Sequence, residues 1–343
     1  MRLNTTASAV ACALVSCFAS GMAHAEDSKL STTVYGIIGL DYVNATNVYD
    51  SASGKSFSKS YIDNSAQSAS RLGFKGSHKI NPDLEAFFGI EAGLSADTGG
   101  TSTGKLFNRG TVLGLKGKFG TVSGGRQWNL NDDSICGIAV CGGYAIWRYS
   151  EFGDTSNLYD NSLKYYTPNF GGFQASMMVG AGEAKSSADG GNMFESKVTY
   201  ASGPFNSMLS YHESKDSTGT KTDRLVTGGV GLVVGPVKGR LAYVSAHYPS
   251  LPSNASGYDI GLDYTVSQPL VLSFDYVTRD KKKSPDDTKY FRVRAVYAID
   301  SAVSVNANFV YLNNKGAATQ AFYGDGQAGQ NQRLIGVGMA YTF

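Results

Sequence analysis

The sequence predicts an all-β fold, a transmembrane antiparallel barrel of about sixteen strands, and three observations carry that prediction. Short segments alternate apolar and polar residues with period two. Tyr258, Ile260, Leu262, Tyr264 and Val266 oppose Asp259, Gly261, Asp263 and Thr265, while Val303, Val305, Ala307, Phe309 and Tyr311 oppose Ser304, Asn306 and Asn308. The connections between segments alternate strictly in length, a short turn and then a long polar loop. The composition combines 42 Gly, 21 Tyr and 17 Phe with only 8 Pro, and no long apolar run follows the N-terminus. That excludes a helical membrane protein and fits many strands joined by Gly-rich turns. Alternation alone also fits a β-sandwich. Aromatics recurring near strand ends, the strict turn–loop order, and the lack of any segment to cover sheet edges favour a closed barrel, which in lipid satisfies every strand hydrogen bond.

In chain order, residues 1–25 read as an export signal. Arg2 supplies a short basic start, an uncharged apolar stretch follows, and Ala23-His24-Ala25 has the small-x-small form of a cleavage site. Arg2 leaves with it, taking the formal charge from +2 to about +1, so no general nucleic-acid-binding charge is present. Residues 26–343 then form one unit. Strands are expected at 32–43, 70–75, 84–92, 106–117 and 121–127, with residues 44–67 a long polar loop. In the third of these, Leu84, Ala86, Phe88, Ile90 and Ala92 share one face.

Beyond the fifth strand the rhythm stops from Trp128 to Asn161. A loop that long is usually functional or disordered, and its aromatics and two cysteines argue against disorder. Cys136 and Cys141, left in the mature chain of an exported protein, read most simply as a disulfide closing a small loop, with two free thiols as the other reading. No histidine lies near them, which argues against a metal site.

After the loop, strands are expected at 163–167, 173–180, 194–200, 205–213, 224–234, 237–247, 258–266, 270–279, 290–299, 303–312 and 333–343. Turn residues such as Ser202-Gly203-Pro204 and Gly235-Pro236 mark the short connections. On the last strand Ile335, Val337, Met339, Tyr341 and Phe343 share a face, and the chain stops on an aromatic.

Stretches along the whole mature chain resemble the trimeric general porins of β-proteobacteria. They include Val34-Tyr35-Gly36-Ile37-Ile38, Ser70-Arg71-Leu72-Gly73-Phe74-Lys75-Gly76, Phe107-Asn108-Arg109, the run from Gly114 to Gln127, the run from Asn161 to Pro168, and the terminal Phe343. The resemblance implies sixteen antiparallel strands, a homotrimer in the outer membrane among lipid and lipopolysaccharide, and a C-terminal strand read by the barrel-assembly machinery. It also implies a third loop, about 128–161, folded into the pore. The tip Glu151-Phe152-Gly153-Asp154 resembles the acidic turn of such constriction loops. Arg71 and Arg109 match the facing arginines, Arg126 is a further candidate, and Lys75, Arg292, Arg294 and Asp160 are secondary lumen candidates. Where the family often has another arginine after the loop, this chain has Asp160, with Lys164 beyond.

Cations on one wall facing carboxylates on the other produce a transverse field at the narrowest point, focused by low-dielectric walls. The expectation is a channel for passive diffusion of ions and small hydrophilic solutes, with no cofactor and no catalysis. Of the mature chain's histidines, His78 and His247 carry no nucleophile-and-carboxylate pattern beside them, and His212 precedes Glu213, which puts the two on opposite strand faces. Two alternatives are a substrate-selective porin, with Tyr144, Trp147, Tyr149 and Tyr159 as an aromatic track, and a plugged barrel with a structural or adhesive role.

Overall fold

The computed structural model describes residues 30–65, 68–101, 104–141, 158–184, 187–249 and 253–343. Its strands are β1 (Leu30–Asp50), β2 (Lys55–Asn64), β3 (Arg71–Asn81), β4 (Leu84–Ser95), β5 (Gly100–Thr101), β6 (Gly110–Gly117), β7 (Gly120–Trp128), β8 (Leu158–Tyr166) and β9 (Phe173–Gly180). They continue as β10 (Met193–Ser202), β11 (Phe205–Lys215), β12 (Thr222–Val234), β13 (Val237–Tyr248), β14 (Ser253–Ser267), β15 (Leu270–Lys281), β16 (Thr288–Ala298), β17 (Val303–Asn314) and β18 (Gln332–Thr342). β2 and β3 both pair with β1, one above the other, and so form a single stave. β5 pairs only with the end of β4. The eighteen segments therefore make sixteen staves, all antiparallel.

Closure comes from β1 against β18, in register from Ile37↔Thr342 to Ala45↔Leu334. Gly36 and Phe343 complete it by exchanging both backbone hydrogen bonds, Gly36 N–H to Phe343 C=O at 2.9 Å and the reverse at 3.1 Å. The faces are inverted relative to a water-soluble sheet. On β14, Ile260 is 49% exposed and its neighbour Asp259 is 0% exposed. Tyr258, Leu262, Tyr264 and Val266 are exposed like Ile260, and the same holds for Ile335, Val337, Met339 and Tyr341 on β18. Apolar side chains outside and polar ones inside is the arrangement lipid demands of a barrel, and it rules out the sandwich.

Two departures from the sequence expectation concern strand extent. Residues 44–64 are not a loop: β1 runs on to Asp50, turns, and returns as β2. Here the pattern of the lipid-facing staves fades, because at the mouth apolar residues point inward. Val43, Ala45 and Val48 bury against Val277, Tyr290, Val310, Leu312 and Leu334, and the connection at 315–331 lays Phe322 and Tyr323 over them. β8 likewise begins at Leu158, so residues 158–161, expected in the long loop, belong to a strand.

The 315–331 connection is tied to both neighbouring loops by carboxylates. Asp325 accepts from the Ser51 backbone N–H (2.8 Å) and its hydroxyl (2.5 Å), and Asp286 accepts from the Ala317 N–H at 2.7 Å. The Ser51 hydrogen bonds hold Asp325 below the usual carboxylate pKa, and those from the Ser284 hydroxyl and Ala317 do the same for Asp286. With folded values depressed, the stabilisation is full above the ordinary value of 3.8 and disappears as pH falls through the lowered values. Amide exchange within 315–331, corrected for its intrinsic pH dependence, should therefore show constant protection from neutrality down to about pH 4 and lose it only below. Loosening already at pH 6 would contradict this tie.

Candidate functional site: the inner wall and the inward loop

The inner faces of β8, β10, β11 and β12 carry buried polar groups at alternate positions, and the loop after β7 satisfies them. Glu195 accepts the backbone N–H groups of Leu130 (2.7 Å) and Asn131 (3.0 Å). Lys197 donates to the Leu130 carbonyl (2.6 Å) and the Ser134 hydroxyl (2.7 Å). Lys164 pairs with Asp133 at 2.8 Å, and the Tyr166 hydroxyl donates to the same carboxylate. The Asn131 side chain bridges Ser210 on β11 and Thr227 on β12. Buried charges are costly unless paired and hydrogen-bonded. The wall and the loop therefore need each other.

Further along, a short 3₁₀ turn, Ile135–Gly137, leads into a ring closed by the Cys136–Cys141 disulfide. The disulfide reading holds. The ring is seated on wall glycines. A side chain at Gly229 would meet Ile138, one at Gly261 would meet Val140 Cγ2 at 2.4 Å, and one at Gly231 would meet the Gly137 carbonyl at 2.3 Å. At Gly231 the missing side chain admits the loop backbone, and at Gly229 and Gly261 it makes room for the loop's Ile138 and Val140 side chains. Two wall arginines clamp the ring: Arg240 donates to the Cys136 carbonyl (3.3 Å) and Arg294 to the Cys141 carbonyl (2.9 Å). Arg240 also pairs with Asp263 at 2.6 Å.

Each candidate can now be placed. Arg292 and Arg294 are on the inner face as expected, but their work is structural. Arg292 is 0% exposed and pairs with Asp275 at 2.5 Å, and Arg294 holds the ring. Arg71 is on the inner wall of β3, donating to the Ala69 carbonyl (3.0 Å) and the Ser68 hydroxyl (2.7 Å). Lys75, two residues below Gly73 on the same face, is exposed and lies 5.1 Å from the centre of the Tyr35 ring. Water thus reaches the inner wall at Lys75. Tyr35 crosses over Gly73 and donates to Glu91 (3.0 Å), whose other oxygen takes Arg109 at 2.5 Å. Arg109 also stands over the Trp128 ring.

Arg126 and Asp160 do not belong to this set. In register with Thr111, two positions from the exposed Leu113, Arg126 lies on the outer face, near the long-loop rim. There it pairs with Asp160 at 2.8 Å, and Lys105 joins the same carboxylate. The cause at Asp160 is a bulge. Gly125 faces Ser162 but Gln127 faces Tyr159, and Asn161 takes a left-handed φ of 49°. The extra residue turns Asp160 outward and Tyr159 inward, where Tyr159 meets His212 at 3.2 Å and packs on Leu130, Met178 and Met193. Glu151 and Asp154, with Tyr144, Trp147 and Tyr149, lie outside the described residues.

The wall groups that fix the loop, Glu195, Lys197, Arg240 and Asp263, escaped the sequence reading. Their signal was present. A charge flanked by outward-facing apolar residues on a lipid-crossing strand, such as Lys197 beside Val198, has to face inward and find a partner there.

A closed sixteen-stave barrel with its charges inside and a loop fastened along its inner wall defines an outer-membrane channel architecture. Residues 7–317 match the family of Gram-negative porins, and the chain belongs to that family. It is 27% identical over 352 residues to outer membrane porin protein 32 of Delftia acidovorans, covering 95% of this chain and 97% of that one. Among solved structures, the anion-selective porin from Comamonas acidovorans superimposes with a TM-score of 0.81 at 24% identity, over 92% of this chain and all of that one. OmpF of Salmonella typhi, in complex with daunomycin, superimposes with a TM-score of 0.67 at 18% identity, over 91% of this chain and 97% of that one. The protein is an integral protein of a Gram-negative outer membrane.

If Glu195 anchors the loop, Glu195→Gln leaves a single amide oxygen for two N–H groups. Loop opening should become easier by about 1–3 kcal/mol, read as a rise of roughly fivefold or more in limited proteolysis within 129–141. The thermal transition of the barrel itself should not move.

Proposed function

We propose that the protein is a passive, water-filled channel for ions and small hydrophilic solutes, narrowed by its inward loop and selective for anions. The observation that carries this reading is the asymmetry of the inner wall. Between β8 and β16, Glu195, Lys197, Arg240 and Arg294 are taken up in fixing the loop, and Arg292 and Asp275 pair with each other. On the opposite side Lys75 is exposed, and Arg71 donates to the Ala69 carbonyl and the Ser68 hydroxyl. An inner wall that presents exposed positive charge attracts anions, the more so where low-dielectric walls focus the field. The Comamonas acidovorans porin, described as anion-selective, has the same barrel.

The rest of the reading follows from the family and the sequence. Residues 1–25 are removed at export. Three copies assemble in the outer membrane among lipid and lipopolysaccharide, the barrel-assembly machinery reads the strand ending in Phe343, and transport proceeds without cofactor, energy input or chemical reaction. Glu151 and Asp154 are the acids that complete the transverse field. The aromatic-track alternative is not favoured, since Tyr159, its described member, is committed to His212 and the wall.

In a planar bilayer under a potassium chloride gradient, the reversal potential should have the sign of chloride preference. Arg71→Gln with Lys75→Gln should lower the anion-to-cation permeability ratio several-fold without abolishing conductance. Cation preference in the unmodified protein would overturn the proposed selectivity, and absence of conductance would overturn the open channel.

A further inference from the structure

The disulfide ring of the inward loop has two sides. Ile138, Ala139 and Val140 are buried, with Ile138 against Gly229 and Val140 against Gly261. Cys136 is exposed, and because the loop lies inside the barrel, the solvent it meets is that of the lumen. The ring also divides the loop's anchorage. Residues before it are fixed by Glu195, Lys197 and Lys164, which do not depend on the disulfide. The ring itself is fixed by Ile138 and Val140 on Gly229 and Gly261 and by two arginines that each hold a cysteine carbonyl. Those last contacts require the two carbonyls to be held at once, across a Cα–Cα separation of 5.3 Å. The crosslink supplies that restraint, and opening it returns the lost chain entropy to the segment.

Resting on the channel reading above, we infer that the Cys136–Cys141 disulfide is an exchange site for small thiols diffusing through the lumen, and that its opening releases residues 135–141 from the wall and widens the channel. In the first step a thiolate attacks Cys136 Sγ. A bond forms between the incoming sulfur and Sγ, the Sγ–Sγ bond breaks, and Cys141 leaves as a thiolate that takes a proton from water. A second thiolate attacks the sulfur of the first on the mixed disulfide, releasing Cys136 as its thiolate, which is then protonated. Two thiols are oxidised to one disulfide and the protein's disulfide is reduced to two thiols, a two-electron exchange. The half-way state, with a small thiol still bound at Cys136, places a new group directly in the lumen.

The test uses the folded, purified protein in a planar bilayer. Dithiothreitol is added to the chamber, and free thiols are counted in parallel by alkylation and mass spectrometry. The oxidised channel should conduct steadily. After reduction two cysteines per chain should alkylate, the steady plateau should be lost, and mean conductance should rise, returning to the starting level on reoxidation. The variant Cys136→Ser with Cys141→Ser should behave as the reduced channel from the outset and ignore dithiothreitol. Should that variant fail to assemble, reduction of the assembled native protein still decides. Alkylation with unchanged conductance would show the disulfide to be structural only, and failure to alkylate in the folded protein would show that no exchange site exists. Either result overturns the inference while leaving the channel reading intact. An oxidised protein that does not conduct would instead count against the channel itself.

Discussion

A sheet in hydrocarbon tolerates no free edge, and everything else in this molecule depends on how that edge is closed. β1 pairs with β18 on one side and with β2 and β3 in series on the other, and the reciprocal bonds of Gly36 and Phe343 finish the seam. Once the cylinder is closed, period-two alternation sends one set of side chains to lipid and the other to the interior. The polar set is thereby concentrated on a concave surface: Asp259, Asp263, Asp275, Arg240, Arg292 and Arg294 on four adjacent staves, and Glu195 and Lys197 on another.

That concentration has a cost, because a buried charge needs a partner. Some partners come from neighbouring staves, as Arg292 and Asp275 do. The others come from the loop at 129–141, which offers backbone N–H and C=O groups along with Asp133, and brings apolar knobs for the wall glycines. The same contacts that satisfy the wall therefore position residues 129–141 of the loop, while Lys75, on the inner face of β3, is exposed. A second, smaller inward packing occurs at the mouth, where Phe322 and Tyr323 settle on Val43, Val48 and Leu334 and Tyr323 stacks on Tyr61 at 4.6 Å.

Much of this was legible in the sequence. The alternation of Tyr258 to Val266, the short turns and the Cys136–Cys141 pair led directly to barrel, topology and disulfide, because each is a local consequence of side-chain period or compartment. The mouth hairpin at 44–64 was not legible, since above the lipid the apolar residues turn inward and the expected phase is lost. Arg126 shows the reverse case. Period two alone sets it beside Val122 on the outer face, where it lies, and only the resemblance to other porins suggested the pore. Asp160 was beyond sequence reading, because the bulge at Asn161 that turns it outward is a property of the β7–β8 register. The loop's anchors depend on which staves the chain brings together at long range, and period gives the face of Glu195 but not its partner.

The account rests most heavily on the loop being a packed part of the wall rather than a tether in the lumen. Amide hydrogen exchange at Leu130 and Asn131, whose N–H groups are bound by Glu195, tests this most directly. Protection comparable to that of the β10 and β11 ladders is expected, in the folded protein at neutral pH. Exchange at the rate of an exposed loop would mean that the inner wall does not hold the loop, and that the constriction is set by something else.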